Sequence, residues 1–259
     1  MPTPETTVKF EHSVSNLYDN IQRRQFYPLL ECNPFRSLVY DPQEITQKSE
    51  KVFTVIFRDG TSFEGMVENE LPNGTGTVNF SNGDRFNGCF KDGYFNGNGV
   101  YKFKDGSSFT GEFANNQRHG FGKEIYSNGD RFEGVFVRDK KEGKGKYIYA
   151  NGSFYEGSIS GDKKQGLGEL LERVGHRYVG EFDQDLRRGK GRLNHRNGEI
   201  YEGQFKDNQP HGYGEHIYSP HKIFKGEFEF GKPHGSGVIV EDGLARDVTF
   251  EFGHLLENL

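Results

Sequence analysis

Glycine recurs in this chain on a 23-residue period, and that period limits what the chain can fold into more than any other feature. Aligned on an aromatic residue two places before a Gly, eight copies begin at Phe63, Phe86, Phe109, Phe132, Tyr155, Tyr178, Tyr201 and Phe224. With that aromatic as position 0, positions +2, +11 and +13 are Gly in every copy, and these take up 24 of the 36 glycines. They include Gly88, Gly97, Gly99, Gly111, Gly120, Gly122, Gly134, Gly143 and Gly145. A glycine inside an element costs roughly 0.5–1 kcal/mol relative to Ala, so 24 of them cost on the order of 12–24 kcal/mol. That exceeds the roughly 5–15 kcal/mol net stability of a whole domain. Such a pattern persists only where a side chain would collide or where the backbone needs a positive φ.

Between the glycines the residues alternate as a strand does. Position +4 is Val67, Phe90, Phe113, Phe136, Ile159, Phe182, Phe205 or Phe228, so one face reads aromatic–Gly–apolar. Positions +15 and +17 extend that face with Tyr101, Tyr126, Tyr147 and Tyr149 among others. The opposite face is mixed: +1 carries Glu64, Glu133, Glu156 and Glu202, yet +16 is apolar in five copies. "SNGD", "KDGS", "ANGS" and "RNGE" precede position 0, and Asn-Gly or Asp-Gly between alternating runs signals a hairpin. A two-residue turn pairs Phe86 with Asn79; a three-residue loop ending in a left-handed Gly pairs Phe86 with Val78 and Arg85 with Asn79. Within a copy, six residues (Lys91 to Asn96) join Phe90 to Gly97, and closure there pairs Phe86 with Tyr101 and Gly88 with Gly99. Only the three-residue loop keeps both connections in the same parity, so it is favoured.

Two strands per copy with short turns make an all-β antiparallel meander. Its sixteen strands at ~4.8 Å spacing predict a twisted, solenoid-like rod about 75 Å long. "YEGQFKDNQPHGYGEHIY" (Tyr201 to Tyr218) resembles a membrane occupation and recognition nexus (MORN) repeat, whose pattern is Tyr-Glu-Gly-x-Phe…His-Gly-x-Gly. The departures are that His stands at +10 only in His119, His211 and His234, and that "SPHK" replaces Asn-Gly before the last copy, which puts its register in doubt. The expected organisation is a non-repeat segment over 1–50, a repeat rod over 51–246 and a closing strand and tail over 247–259. "KVFTVIF" (Lys51 to Phe57) reads as a leading strand and "VTFEF" (Val248 to Phe252) as a closing one. Val14, Leu17, Tyr18 and Ile21 follow helical spacing over 14–25, and the first segment reads either as a cap or as a partner-docking segment.

Catalytic chemistry finds no foothold. His211 and His234 are equivalent turn positions about 10 Å apart, too far to share a metal, so no metal or cofactor is expected. Glu133 and Glu156 are likewise about 10 Å apart on an open sheet. "GKGK" and "RRGKGR" lack phosphate-loop spacing, and no Ser, Cys or His cluster suggests a nucleophile. MORN-containing enzymes carry separate methyltransferase or lipid-kinase domains, for which no room is expected here. Cys32 and Cys89 read as free thiols. No apolar run or leader suggests membrane insertion or secretion, so a cytoplasmic protein is expected.

With a net charge of −5, a nucleic-acid partner is not expected. Residues 132–200 nevertheless hold 14 Lys/Arg against 11 Asp/Glu. Lys140, Lys141, Lys163, Lys164, Arg187 and Arg188 recur at one connection and would align as a basic stripe, serving either solubility or contact with acidic protein or anionic lipid. Two functions follow. In the first, a non-catalytic scaffold binds a protein segment along a glycine trough walled by aromatics. The walls would be Phe86, Phe90, Tyr101, Phe109, Phe113, Tyr126, Phe132, Phe136, Tyr147, Tyr149, Tyr155, Tyr178, Phe182, Tyr201 and Phe205. The resemblance adds a cytoskeletal setting such as the ciliary axoneme or radial-spoke head. In the second, the basic stripe tethers the chain weakly to anionic lipid. Edge-to-edge self-association is open in both.

Overall fold

The computed structural model describes residues 46–49, 52–69 and 71–256. The expected helix over 14–25, Cys32 and most of the 1–50 segment lie outside the described residues. The contact pattern divides the chain into two units, Met1–Lys140 and Lys141–Leu259.

The described residues are all-β. The first unit runs through β1 (Thr46–Ser49), β2 (Val52–Ile56), β3 (Ser62–Glu68), β4 (Leu71–Asn79), β5 (Arg85–Lys91), β6 (Tyr94–Lys102), β7 (Ser108–Ala114), β8 (Gln117–Ile125) and β9 (Arg131–Val137). The second contains β10 (Lys140–Ile148, from its second residue on), β11 (Phe154–Ser160), β12 (Lys163–Leu171), β13 (Arg177–Asp183), β14 (Leu186–Asn194), β15 (Ile200–Lys206) and β16 (Gln209–Ser219). It ends with β17 (Lys222–Glu229), β18 (Lys232–Glu241), β19 (Leu244–Glu251) and β20 (His254–Leu256). In each unit every strand pairs antiparallel with the next, the meander expected from the repeat. The leading strand is β2, and β1 precedes it. The closing strand begins earlier than read, at Leu244, and β20 follows it.

The turn between copies is the three-residue loop. Val78 pairs with Phe86 and Asn79 with Arg85. Phe80 N–H then donates to Asp84 O at 2.9 Å, and Gly83, at φ 95°, takes the left-handed end of the loop. The last copy keeps its register despite "SPHK": His216 faces Phe224, and a bulge at Tyr218 lets Pro220–His221 close the hairpin with two residues.

The connection inside each copy corrects the sequence reading. Lys91 to Asn96 is not a six-residue loop, because Phe90 pairs with Phe95 and Lys91 with Tyr94, leaving a two-residue turn at Asp92–Gly93. Both turn residues have positive φ, 50° and 81°, as a type I′ turn requires. The remaining residues form a bulge: Asn96, Gly97 and Asn98 lie opposite Cys89 alone, and Gly97 sits at φ 98°. The pairs that fix parity, Phe86 with Tyr101 and Gly88 with Gly99, are those expected.

A second link ties successive copies. At the turn, the +7 residue donates its N–H to the +9 carbonyl of the previous copy, as Asp185 does to Lys164 O at 3.1 Å. Where +9 has an N–H to offer, the +7 side chain accepts it. Phe95 N–H donates to Asn116 at 2.6 Å, Arg118 to Asp139 at 2.8 Å, and Lys141 to Asp162, Lys164 to Asp185 and Arg187 to Asn208 at 2.9 Å. Where +9 is Pro72, Pro210 or Pro233, no N–H exists, and the residue that donates back is Gly93, Gly231 or Gly253. Side-chain acceptor and main-chain donor are thus matched across all eight joints.

Candidate functional site

Glycines pair with glycines from strand to strand. In the first unit the row runs from Gly65 through Gly76, Gly88, Gly99, Gly111 and Gly122 to Gly134. The second unit has its own row from Gly145 to Gly237. The two ends carry side chains in register with the row: Phe53 faces Gly65, and Val248 faces Gly237. A Cβ on Gly88 would stand 2.5 Å from Gly99 Cα, and a Cβ on Gly99 would stand 2.5 Å from Phe86 Cε2. The position-0 ring therefore lies across the glycines of its own copy.

The trough expected between aromatic rows is consequently filled by the rings that were to wall it. Phe86, Phe109, Phe132, Phe136, Tyr155, Tyr178 and Tyr201 are at most 1% exposed, and Phe90, Phe113, Phe182 and Phe205 at most 4%. Each +4 ring stands edge-on to the position-0 ring of its own copy and of the copy before. Phe113, for instance, meets Phe109 at 5.1 Å and Phe86 at 5.2 Å, and Phe205 meets Tyr201 at 5.2 Å and Tyr178 at 4.9 Å. A one-layer sheet thus makes its own core, with bare backbone providing the depth.

Position +9 covers the position-0 rings. Phe95 stacks on Phe86 at 3.7 Å, and the guanidinium of Arg118 lies 5.7 Å from the Phe109 centroid. In the second unit Lys164 lies over Tyr155 at 5.4 Å and Arg187 over Tyr178 at 5.6 Å. The six cations of the expected stripe are therefore dispersed. Lys141 is buried with its ammonium 5.8 Å from the Tyr147 centroid, and burial lowers the Lys164 pKa against the pull of Asp185. Arg187 approaches Glu172 at 3.4 Å, while Arg188 meets Asp183 at 2.6 Å and Asp207 at 3.0 Å. Lys163 donates to Gln184 at 2.8 Å, and Lys140 is exposed at the start of β10.

The remaining aromatics form a rim beside the turns. The Tyr101 hydroxyl donates to Asp84 at 2.9 Å, and burial raises its pKa. The Tyr126 hydroxyl donates to Glu124 at 2.6 Å. Tyr147 and Tyr149 stack at 6.0 Å. Glu124 is the one carboxylate at position +15, is buried, and meets Arg118 at 2.5 Å.

The open concavity lies on the other face. In the second unit a cleft of about 860 Å³ crosses β13 to β16, floored by Gly191, Gly203 and Gly214 and lined by Val179, Lys190, Arg192, Glu202, Gln204, Tyr213, Glu215 and Ile217. Tyr213 is 63% exposed and Val179 41%. The charges around it are paired from strand to strand, Arg192 with Glu202 at 2.8 Å and Glu215 with Lys225 at 3.0 Å. The sequence reading missed this face because its charges look like ordinary solvated residues. The signal available was position +12, where Phe121, Leu167 and Tyr213 place exposed apolar groups in alternate copies. His211 and His234 lie in the bulges of β16 and β18 and not in the turns expected for them, and among the described residues no group of three or more His, Cys, Asp or Glu is arranged to hold a metal ion.

The repeat's register, glycine row and ring packing are now explicit, and the MORN repeat family matches residues 86–108, 109–131, 132–154, 155–171, 178–200, 201–221 and 224–240. The chain belongs to the MORN repeat family. The copy beginning at Phe63 lies outside the matched residues yet has the same register, with Gly65 facing Gly76. No curated protein matches the chain. Among solved structures, the TCP10 domain of Danio rerio CPAP in complex with a STIL peptide is similar, with 12% identity, coverage of 80% of this chain and 98% of that one, and a TM-score of 0.45. The TCP domain of Drosophila melanogaster SAS-4 with a proline-rich motif of Ana2 is similar at 15% identity, covering 70% of this chain and 100% of that one, with a TM-score of 0.41. Likeness at these scores carries no inference about this chain's partners.

Proposed function

We propose that this MORN repeat chain is a non-catalytic scaffold that binds a protein segment on the open face of its repeats. The aromatic rows hold that face in shape from behind. The observation that carries this reading is the 860 Å³ cleft with exposed Tyr213 and Val179 between salt-paired walls. Exposed apolar groups within a polar rim are what a docking segment buries. A cytoskeletal setting, the ciliary axoneme among them, rests on the family resemblance. The alternative of anionic lipid loses support from Arg188 and Lys163, whose charged heads are already engaged.

The test is a photo-crosslinking residue introduced at Tyr213 or at Lys164, on opposite faces, followed by mass spectrometry of adducts in cells. Partner adducts from position 213, lost when Lys190→Glu and Val179→Glu are added, are the expected result. Adducts from position 164 alone would move the site to the ring-covered face. Salt-sensitive sedimentation with phosphatidylserine vesicles, abolished by Lys140→Glu/Lys163→Glu, would replace the scaffold with the tether.

A further inference from the structure

We propose that a ladder of three histidines on the rim of the second unit is a pH-sensitive joint, which loosens β14 to β16 as its imidazoles take up protons. His176 stands just before β13, His195 just after β14 and His216 within β16. Their rings form a continuous row, with centroids 5.2 Å apart between His176 and His195 and 6.1 Å between His195 and His216. Tyr218 closes the row 4.0 Å from His216. The same rim in the first unit is built from Phe80, Tyr101 and Phe103, with centroids 5.8 and 4.6 Å apart. Imidazole thus replaces phenyl at His195 and phenol at His216, the positions of Phe80 and Tyr101, and packs in the same way while neutral; His176, which stands where the first unit has Asp84, extends the row.

The charged groups facing the row are few. From the turn before β13 comes Glu172, already 3.4 Å from Arg187. From β14 comes Arg187 itself, whose Nε is buried without an acceptor. The β14–β15 turn contributes Arg196, whose main-chain N–H donates to His176 Nδ1 at 3.3 Å, and Glu199, whose carboxylate lies 3.2 Å from His216 Nε2. Imidazolium ions at His195 and His216 beside Arg187 would outnumber the two carboxylates, and like charges this close oppose one another. Burial, then His176 and His216, holds His195 below the ordinary histidine value, with Arg187 adding to this and Glu199 opposing it. Burial also lowers His216, again against Glu199. A lowered folded-state value means that the neutral rings stabilise the unit fully above the ordinary value of about 6.5, and that this contribution is lost as pH falls through the lowered values.

The experiment uses the full chain. Ring resonances of His195 and His216 are titrated by NMR, and amide hydrogen exchange, corrected for its intrinsic pH dependence, is compared at pH 7.5 and 5.5. Both rings should titrate below the ordinary value. Opening of β14 to β16 should rise relative to β5 to β7 by up to about tenfold for each pH unit of summed depression. His195→Phe/His216→Tyr, which transplants the first unit's rim, should remove the difference. Rings titrating at or above the ordinary value, or equal responses from the two strand sets, would overturn the proposal. Both readouts come from the unmodified chain and stand even if the double variant fails to fold.

Discussion

In the first unit position 0 is Phe in each copy from Phe63 to Phe132, whereas in the second it is Tyr at 155, 178 and 201 before returning to Phe224. The rings occupy the same place over the glycines, yet the tyrosines add a bond. Tyr155, Tyr178 and Tyr201 donate their hydroxyls to the carbonyls of Ser158, Glu181 and Gln204 at 2.7, 2.9 and 2.9 Å. The covering residue does not sort with the ring: Phe95 stacks on Phe86 and Arg118 lies over Phe109 in one unit, and Lys164 and Arg187 lie over phenols in the other. The difference teaches that the glycine row demands a flat ring above it and leaves the ring's polarity open. A phenol brings its own hydrogen bond, and phenyl and phenol alike accept a cation as cover.

The largest expected effect removes the ring itself. Phe86→Ala and Tyr178→Ala should each cost about 3–5 kcal/mol in denaturant unfolding, with lost exchange protection confined to the unit concerned. A loss below about 1 kcal/mol in either would show that its rows are not the core. Next come Gly88→Ala and Gly180→Ala, whose added Cβ would meet backbone at 2.5 and 2.6 Å. Both should cost at least about 1–3 kcal/mol, and equal costs would show that the close approach, rather than ring polarity, sets the glycine requirement. The joints are more graded. Asp185→Gly keeps the positive φ but leaves the Lys164 N–H without its acceptor, an expected loss of about 1–2 kcal/mol. Adding Lys164→Pro recreates the Pro210–Gly231 arrangement, so a double-mutant cycle should show favourable coupling of about 0.5–1 kcal/mol. The smallest effect sharpens the comparison most. Tyr178→Phe should cost about 0.5–1.5 kcal/mol for the bond to Glu181. Spectrophotometric titration should find the Tyr155 and Tyr178 hydroxyls pushed up to about 12, chiefly by burial.

Much of the fold was legible because the repeat overdetermines it. Phe86 facing Val78 on one side and Tyr101 on the other follows from parity alone once the Asn-Gly loops are placed. The site was less legible. Alternation showed that Phe86 and Gly88 share a face, but the ring's tilt onto Gly99 depends on a torsion that spacing does not encode. The trough consequently read as empty. The turn inside each copy was missed because only some copies mark it: Gly93 follows Asp92, but Asn115 and Arg138 have no Gly beside them, although all three non-glycine residues adopt positive φ, 50° in each case. The basic stripe looked uniform in sequence because neighbours such as Lys163 and Lys164 point to opposite faces of a strand, which linear charge counting merges.

The matched joints also fix the order of the copies. Each copy presents a +9 residue to its successor and a +7 residue to its predecessor, and the two must agree. A copy presenting Arg187 at +9, set before one that offers Gly231, would strand an N–H. One presenting Pro210 at +9, set before a copy that offers an Asn such as Asn208 at +7, would idle an amide. Copies that look interchangeable by sequence are therefore keyed to their neighbours. Shuffled or duplicated arrays of these units should assemble well only where proline meets glycine and an amide donor meets Asn or Asp.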